Sequence, residues 1–369
     1  MNNSQHDSPK DFLFNCISNK DIEKWNKFRE DNEEKTIDLT GSNFRDCELN
    51  NINLSNAILK KSIFNGAIIK NADFSRSDLR ETTFFATKSE NTNFYNTKFN
   101  NSDLSYSYFL KCNMKICNFE SSALTGIKLI ESELMKANLQ KCDLHDSVLN
   151  GSDLSFAYLQ DSNLHNARVD YKTNLDQIYL SKKTDMRCVN YSNAQYDGLT
   201  LSKINYLIRR KNWEEHYKSN KIKSFTARFF WHMSDYGFST VRIVIYFAFF
   251  ISMFSAMYFL MGYIKPPGVI DSLFIVDGQK LQLSVVILRS IYFSFVTMTT
   301  LGFGDIYVST NTYIGYFLVI SQTLIGYFML GAIITRLAIL FTNTGPATFD
   351  EYDSELSDQM AERIVEKNY

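Results

Sequence analysis

Proline is scarce in this chain, with four among 369 residues, and the 15 glycines are half as many as the 30 phenylalanines. Few prolines suit strands and helices, because each proline removes a backbone hydrogen-bond donor. The net charge is only −1, which argues against a chain whose whole surface binds nucleic acid. With 45% hydrophobic residues, the chain is also not a disordered one.

The six cysteines lack the pairing that binds zinc, since no two of them are separated by two residues. Four of them instead follow a five-residue repeat, namely Cys47, Cys112, Cys117 and Cys142. We expect free, buried thiols in a reducing compartment. No nucleophile–base pair or metal cluster stands outside the repeat, so neither an enzymatic activity nor a cofactor is expected.

A large apolar residue recurs at every fifth position from Phe44 to Val169, and Ser89 alone departs from this column. A second column of mostly small residues lies two positions earlier. A period of five fits neither the 3.6-residue turn of a helix nor the two-residue alternation of a strand. It fits a chain that turns a corner after each short extended piece and sends one large and one small side chain inward. Because Ser89 places a polar residue in this apolar column, we expect a bulge or a loop over 84–93.

Several five-residue stretches share one arrangement: NADFS at 71–75, KANLQ at 136–140, GSDLS at 151–155 and DSNLH at 161–165. They match the consensus A(D/N)LXX, and residues 39–170 resemble the pentapeptide-repeat family. The resemblance implies a right-handed quadrilateral β-helix with four pentapeptides in each coil. Because a solenoid needs capped ends, residues 1–38 are predicted to be a helical cap, with Trp25 in its core rather than stacked on a ligand.

Some members of that family mimic DNA through a strongly acidic surface. Residues 41–170 of this chain contain 14 basic and 15 acidic residues, which argues against such mimicry. No nucleic-acid partner is expected for the repeat region.

The C-terminal part is apolar and is predicted to be an all-α, two-span pore domain over 241–342. Residues 241–263 and 313–341 are each long enough to cross the hydrocarbon layer as a helix. The shorter apolar segment at 285–299, which contains Arg289, suits a re-entrant pore helix buried in protein.

Basic residues crowd the segment at 203–242 and are rare in the loop at 264–284. The positive-inside rule therefore predicts a multi-pass protein of the cell inner (plasma) membrane, with cytoplasmic N- and C-termini. Residues 171–240 are interpreted as a cytosolic connector with interfacial helices that contact membrane lipids. Residues 343–369 are a cytosolic tail, either a short helix or disordered.

Between the predicted pore helix and the second span lies the sequence TTLGFGD, from Thr299 to Asp305. For successive carbonyls to point to one axis, alternate residues need conformations that glycine adopts easily, as at Gly302 and Gly304. The sequence resembles TVGYGD of the potassium-channel family. The resemblance implies a selectivity filter over 300–305, a pore helix that ends at Thr299, and a homotetramer, since one chain supplies one filter loop.

The same resemblance implies a role for each filter residue. The potassium ligands are then the backbone oxygens of Thr300, Leu301, Gly302 and Phe303, with the Thr300 hydroxyl as a further oxygen. Leu301 and Phe303 brace the loop from behind, and Asp305 draws cations to the outer mouth. The sequence departs from the signature at Leu301 and Phe303, and Phe303 lacks a hydroxyl that could bond behind the filter.

Two residues of the second span are further candidates. Gly326 is either a gating hinge or a place where helices pack closely. Gln322 either faces the pore cavity or hydrogen-bonds across subunits. No span carries arginines at every third position, so a voltage sensor is not expected.

The function predicted from these features is a tetrameric potassium-selective channel whose repeat domain has a regulatory or assembly role. A non-selective cation channel is one alternative. A membrane-tethered pentapeptide-repeat binding module is the other. The sequence names no regulatory ligand or protein.

Overall fold

The protein forms two compact units, the first ending at Trp213 and the second beginning at Glu214. The computed structural model describes residues 8–33, 35–218, 221–235, 239–264, 270, 273–276, 279–308 and 313–342. The predicted tail at 343–369 lies outside these residues.

Two short helices begin the first unit, α1 (Pro9–Ser18) and α2 (Ile22–Glu30). They occupy the segment predicted to be a helical cap, and proline at the first position of α1 has the φ that a helix start requires. Trp25 is fully buried in the core of this unit. Its indole nitrogen donates a hydrogen bond to the carbonyl of Asn53 at 2.8 Å, so α2 is fastened to the repeat region.

Parallel pairing joins repeat residues that lie 20 positions apart, as in the bridges Asp38–Ile58 and Asn53–Asp73. Four pentapeptides therefore make one coil, and the predicted β-helical arrangement is confirmed. One face carries four three-residue strands that pair in parallel in chain order. These strands are β1 (Ile68–Lys70), β2 (Lys88–Glu90), β3 (Tyr108–Leu110) and β4 (Lys128–Ile130).

Residues in the left-handed conformation recur at the corners of the coils, as at Asn51, Asn56 and Lys61, whose φ angles are 61°, 54° and 58°. Side chains other than glycine adopt this conformation at a cost, which is smallest for asparagine and aspartate. The amide of Asn51 donates to the carbonyl of Lys70 on the next coil at 2.7 Å. Such bonds between coils offset the cost of the corners.

The column of large apolar residues fills the interior of the solenoid. Phe44, Phe64 and Phe84 are fully buried, and their rings stack with centroid separations of 4.7 and 4.4 Å. Stacked aromatic pairs of this kind add to the stabilisation that burial already provides.

Ser89 keeps its place in this column, because β2 pairs in continuous register with β1 and β3. The predicted bulge or loop over 84–93 is therefore wrong. The hydroxyl of Ser89 is buried and accepts a hydrogen bond from Sγ of Cys112 at 3.6 Å. A polar side chain fits the column because it has this partner.

The coils continue past residue 170 into the segment interpreted as the connector, with bridges from Asp153 to Asn174 and from Asn174 to Gln195. Bridged residues in these coils lie 21 or 22 positions apart, as in Asn174–Gln195 and Asn163–Asp185, so a constant period of five does not predict them. An extra residue lies at a corner of the coil. There, a side-chain oxygen accepts the hydrogen bond that a backbone carbonyl accepts in the preceding coils. The amide of Gly151 donates to Oδ1 of Asp170 at 2.8 Å.

The remaining elements are α3 (Gly198–His216), α4 (Lys221–Ser234), α5 (Thr240–Ile264), β5 (Ile275–Val276), β6 (Gln279–Lys280), α6 (Leu283–Met298) and α7 (Tyr313–Thr342). In the second unit, α5, α6 and α7 share a core that includes Phe254, Phe293 and Met329. These three helices occupy the segments predicted to be the first span, the pore helix and the second span. Strands β5 and β6 form an antiparallel pair between α5 and α6 in the chain.

Candidate functional site

The loop from Thr299 to Asp305 begins where α6 ends. The amide of Thr300 donates to the Thr297 carbonyl at 3.2 Å, and the amide of Leu301 donates to the Val296 carbonyl at 3.0 Å. This is the bonding of a helix end whose next residue is left-handed, and Thr300 has a φ of 60°. The Thr300 hydroxyl donates to the Thr299 carbonyl at 2.6 Å.

Beyond this helix end, the left-handed conformation recurs at every second residue. Gly302 has a φ of 51° and Gly304 a φ of 77°, whereas Leu301 and Phe303 do not have positive φ. This alternation places at Gly302 and Gly304 the kind of conformation that glycine adopts easily.

All residues from Thr300 to Asp305 are exposed on the single chain. Leu301 and Phe303, predicted to brace the loop, are 58% and 67% exposed. Asp305 accepts a hydrogen bond from the hydroxyl of Tyr292 on α6 at 3.4 Å. The Thr299 hydroxyl also donates to the Phe295 carbonyl on α6 at 2.8 Å, so side-chain bonds tether both ends of the loop, and its two large apolar side chains remain uncovered.

Gln322 lies on α7 and is fully buried inside its own chain. Its Oε1 accepts from the Tyr258 hydroxyl on α5 at 2.6 Å, and its Nε2 donates to the Ser294 carbonyl and hydroxyl on α6 at 2.9 and 2.7 Å. The two predictions for this residue placed it at the cavity or between subunits. The structure instead joins the three helices through it, because Tyr258 and Ser294 supply the partners that its amide needs.

Tyr258 and Ser294 were not singled out in the sequence. The signal that could have found them is that each, like Gln322, is a polar residue within an apolar segment. A buried polar group in an apolar helix requires a partner, but the sequence does not pair the positions.

Gly326 on α7 lies against the end of α6. A Cβ at this position would overlap the carbonyl oxygen of Met298, the last residue of α6. A Cβ at Gly331, one and a half turns further along α7, would meet nothing within 4 Å. The geometry at Gly326 is that of close helix packing, the second of its two predicted roles.

The thiols of the repeat cysteines Cys117 and Cys142 are buried and hydrogen-bonded. Sγ of Cys117 donates to the Phe94 carbonyl at 2.8 Å and Sγ of Cys142 to the Phe119 carbonyl at 2.9 Å. Burial raises the pKa of both thiols, that of Cys142 to about 12. Among the described residues, no group of three or more histidine, cysteine, aspartate or glutamate side chains is placed to hold a metal ion.

Two helical stretches, Thr240–Met261 and Tyr313–Leu337, are long and apolar enough to cross a membrane. Length and composition alone support this statement. The orientation of these helices and the identity of the membrane, both inferred from the sequence, remain predictions.

Comparison with known proteins identifies the repeats. A sequence profile of pentapeptide repeats matches residues 37–76, 112–151 and 137–170. Together with the coil geometry, this match shows that the N-terminal region is a pentapeptide-repeat domain. The profile does not extend to the apolar helices, and a search of curated proteins finds no match.

Several solved structures are similar to part of the chain. Full-length QnrB1, a plasmid-mediated fluoroquinolone resistance protein, is 13% identical, with coverage of 46% of this chain and 94% of its own and a TM-score of 0.23. HetL, a pentapeptide repeat protein involved in heterocyst differentiation regulation from the cyanobacterium Nostoc sp. strain PCC 7120, is 17% identical, with 46% and 92% coverage and a TM-score of 0.17. At these values the similarities carry no inference about activity.

Proposed function

We propose that this chain is the subunit of a homotetrameric, potassium-selective channel of the cell inner membrane. The observation that carries the proposal is the loop at 300–305, where left-handed residues alternate along a chain segment that joins a short apolar helix to a long one. Such a backbone can present a row of carbonyl oxygens in place of the hydration shell of potassium. The oxygens of Thr300, Leu301, Gly302 and Phe303 are the proposed ligands.

The exposure of Leu301 and Phe303 supports the tetramer. Each side chain leaves more than half of its surface uncovered on a single chain. A ring of four loops would bring neighbouring chains against these side chains and complete the coordination of the ion. The C-terminal end of α6, which leads into the loop, carries the negative end of the helix dipole and so favours a cation nearby.

In this proposal α5 and α7 cross the membrane, both termini are cytoplasmic, and the protein conducts ions without catalysing a reaction. Membrane lipids cover the outer surfaces of α5 and α7. The pentapeptide-repeat domain assembles or regulates the tetramer. Gly326 packs α7 against α6, and gating as a hinge at this position has no support from its contacts.

Reconstitution in planar bilayers tests the proposal. Wild-type protein is expected to carry current with a reversal potential shifted strongly toward potassium under potassium/sodium bi-ionic conditions. Gly302→Asp should abolish the current, because it places a carboxylate and a Cβ on a left-handed residue of the loop. Gly331→Ala is the matched control, since a Cβ there meets open space, and its current should persist.

Each alternative has its own outcome in this experiment. A reversal potential near zero would replace the potassium channel with a non-selective cation channel. Failure to observe any current sensitive to Gly302→Asp would reject conduction and favour the membrane-tethered binding module.

A further inference from the structure

The last coils of the solenoid carry a groove that ion conduction does not use. Its volume is about 530 Å³, within the range of small-molecule sites, and every residue that lines it belongs to the first unit. Ionisable side chains make up most of the lining, including Lys183, Arg187 and Lys211.

The charged residues occupy a defined place in the repeat. His145, His165 and Arg187 are equivalent positions of three successive coils, each two residues after a bridged residue. In the three coils directly before these, the same column contains Phe85, Ser105 and Thr125, which carry no charge. The chain has only five histidines, so two of them in neighbouring coils on one face are a concentration that the repeat period does not require.

The carboxylates of the groove already have donors. Asp185 is bound at two points by Arg187, with the Nη2–Oδ2 distance at 2.7 Å and the Nε–Oδ1 distance at 3.0 Å. Oδ1 of Asp143 accepts from Asn163 at 2.9 Å and lies 2.9 Å from Nδ1 of His145.

The third carboxylate, Asp161, accepts from the Ser181 hydroxyl at 2.7 Å and lies 3.4 Å from Nζ of Lys183. Donors of the groove thus engage all three carboxylates. The ammonium groups of Lys183 and Lys211 are the cationic donors considered for a further anion.

Two lysines approach the groove from different segments of the chain. Lys183 follows the irregular corner at Ser181, and Lys211 comes from α3. Partial burial raises the pKa of Asp185, but the bonds from Arg187 and the charge of Lys211 outweigh it and lower that pKa. Lys211 therefore lies close enough to act on the charged face of the coils.

We propose that this groove binds a small solute through a phosphate group. Lysine and histidine donors that converge from several directions match an anion with several acceptor oxygens, and the two ammonium groups supply positive charge. The phosphate can belong to a soluble metabolite or to a lipid headgroup. This inference stands apart from ion conduction, since it concerns residues of the first unit alone.

Calorimetric titration of the detergent-solubilised full chain with inorganic pyrophosphate tests the proposal. Saturable binding is expected, and the double variant Lys183→Met/Lys211→Met should weaken it by about tenfold or more, as expected for the loss of charge-assisted hydrogen bonds. Lys115→Met is the matched control, because Lys115 is paired with Glu133 at 2.8 Å outside the groove and its loss should leave the affinity unchanged. An unchanged circular dichroism spectrum and melting temperature would show that the double variant remains folded.

Dihexanoyl phosphatidic acid distinguishes the two sources of the phosphate. Tighter binding than that of pyrophosphate, lost in the same double variant, would assign a lipid headgroup, and weaker binding would assign a soluble solute. The proposal is overturned if pyrophosphate at millimolar concentration gives no saturable heat, or if the folded double variant binds it as tightly as the wild type.

Discussion

In the solenoid, large side chains such as Phe64 and Phe94 are fully buried between successive coils, whereas Tyr313, Phe317 and Phe328 of α7 are 93%, 71% and 73% exposed. Each coil covers the apolar face of its neighbour, so the first unit completes its own core. Helix α7 is apolar around much of its circumference and finds too few partners within its chain. The contrast agrees with the proposal that α7 crosses a membrane within a tetramer.

Buried polar side chains obtain their hydrogen-bond partners from different sources in the two units. In the solenoid, some hydroxyls of the small-residue column bond to the neighbouring coil, as where the Ser122 hydroxyl donates to the Phe99 carbonyl at 2.6 Å. Others bond within their own coil, as where the Ser77 hydroxyl donates to the Phe74 carbonyl at 2.6 Å. In the second unit, the amide of Gln322 is satisfied by two other helices. Repetition supplies partners in the first unit, and helix packing supplies them in the second.

The largest expected effect comes from truncating the solenoid core. Phe64→Ala should lower the free energy of opening of the surrounding coils by about 3–5 kcal/mol, because it leaves a cavity between two stacked rings. Phe328→Ala should change the stability of α7 by less than about 0.5 kcal/mol in detergent. Hydrogen exchange on the full-length protein would measure both. A large loss of stability in Phe328→Ala would break the comparison, and a simultaneous loss of the oligomer would identify Phe328 as a subunit contact.

A smaller effect is expected at the close approach of α7 to α6. Gly326→Ala should destabilise the second unit by about 1–3 kcal/mol, since the added methyl group overlaps the Met298 carbonyl and the helices must separate. Gly331→Ala has open space and should stabilise α7 by up to about 1 kcal/mol, because alanine favours the helix. Thermal unfolding in detergent compares the two variants. Equal behaviour would show that α7 does not pack on α6 at Gly326.

The smallest effect is expected where the solenoid ends and α3 begins. Partial burial raises the pKa of Asp197, but hydrogen bonds from Thr200 and Gln177 outweigh it and lower the pKa to about 2. The unfolded value is about 3.9, so this contribution to stability is present above about pH 4 and lost as the pH falls through 2.

Hydrogen exchange of the Thr200 amide, corrected for intrinsic rates, should therefore rise over that window. Asp197→Ala should weaken the start of α3 by about 1 kcal/mol at pH 7 and remove the acid-dependent step. A step that persists in Asp197→Ala would assign it to another group.

The sequence predicted the parts of the fold that repeat. The five-residue column predicted the coil of four pentapeptides, because each large residue meets the equivalent residue of the next coil. The five-residue period did not predict the coils after residue 170, because an extra residue shifts the register there. At that corner the Gly151 amide bonds to the side chain of Asp170 instead of to a backbone carbonyl. The prediction at Ser89 was wrong, because the partner that satisfies this hydroxyl, Cys112, lies in the next coil.

For the candidate site, the glycine spacing predicted left-handed conformations at Gly302 and Gly304, and both have them. The positive φ of Thr300 was not predicted, because it arises from the bonding at the end of α6. The sequence left two alternative roles open for Gln322 and two for Gly326, because the role of each depends on contacts with a helix distant in the chain.

The sequence by itself determined the period of the solenoid, the inward columns and the extent of the apolar helices. These follow from local spacing, because neighbours in a coil are related by a constant number of residues. Only the tertiary structure decided that Gln322 joins Tyr258 and Ser294, that Gly326 meets Met298, and that Lys211 lines the same groove as Arg187. These contacts depend on how helices pack and where α3 turns back, and no period in the sequence relates the residues that form them.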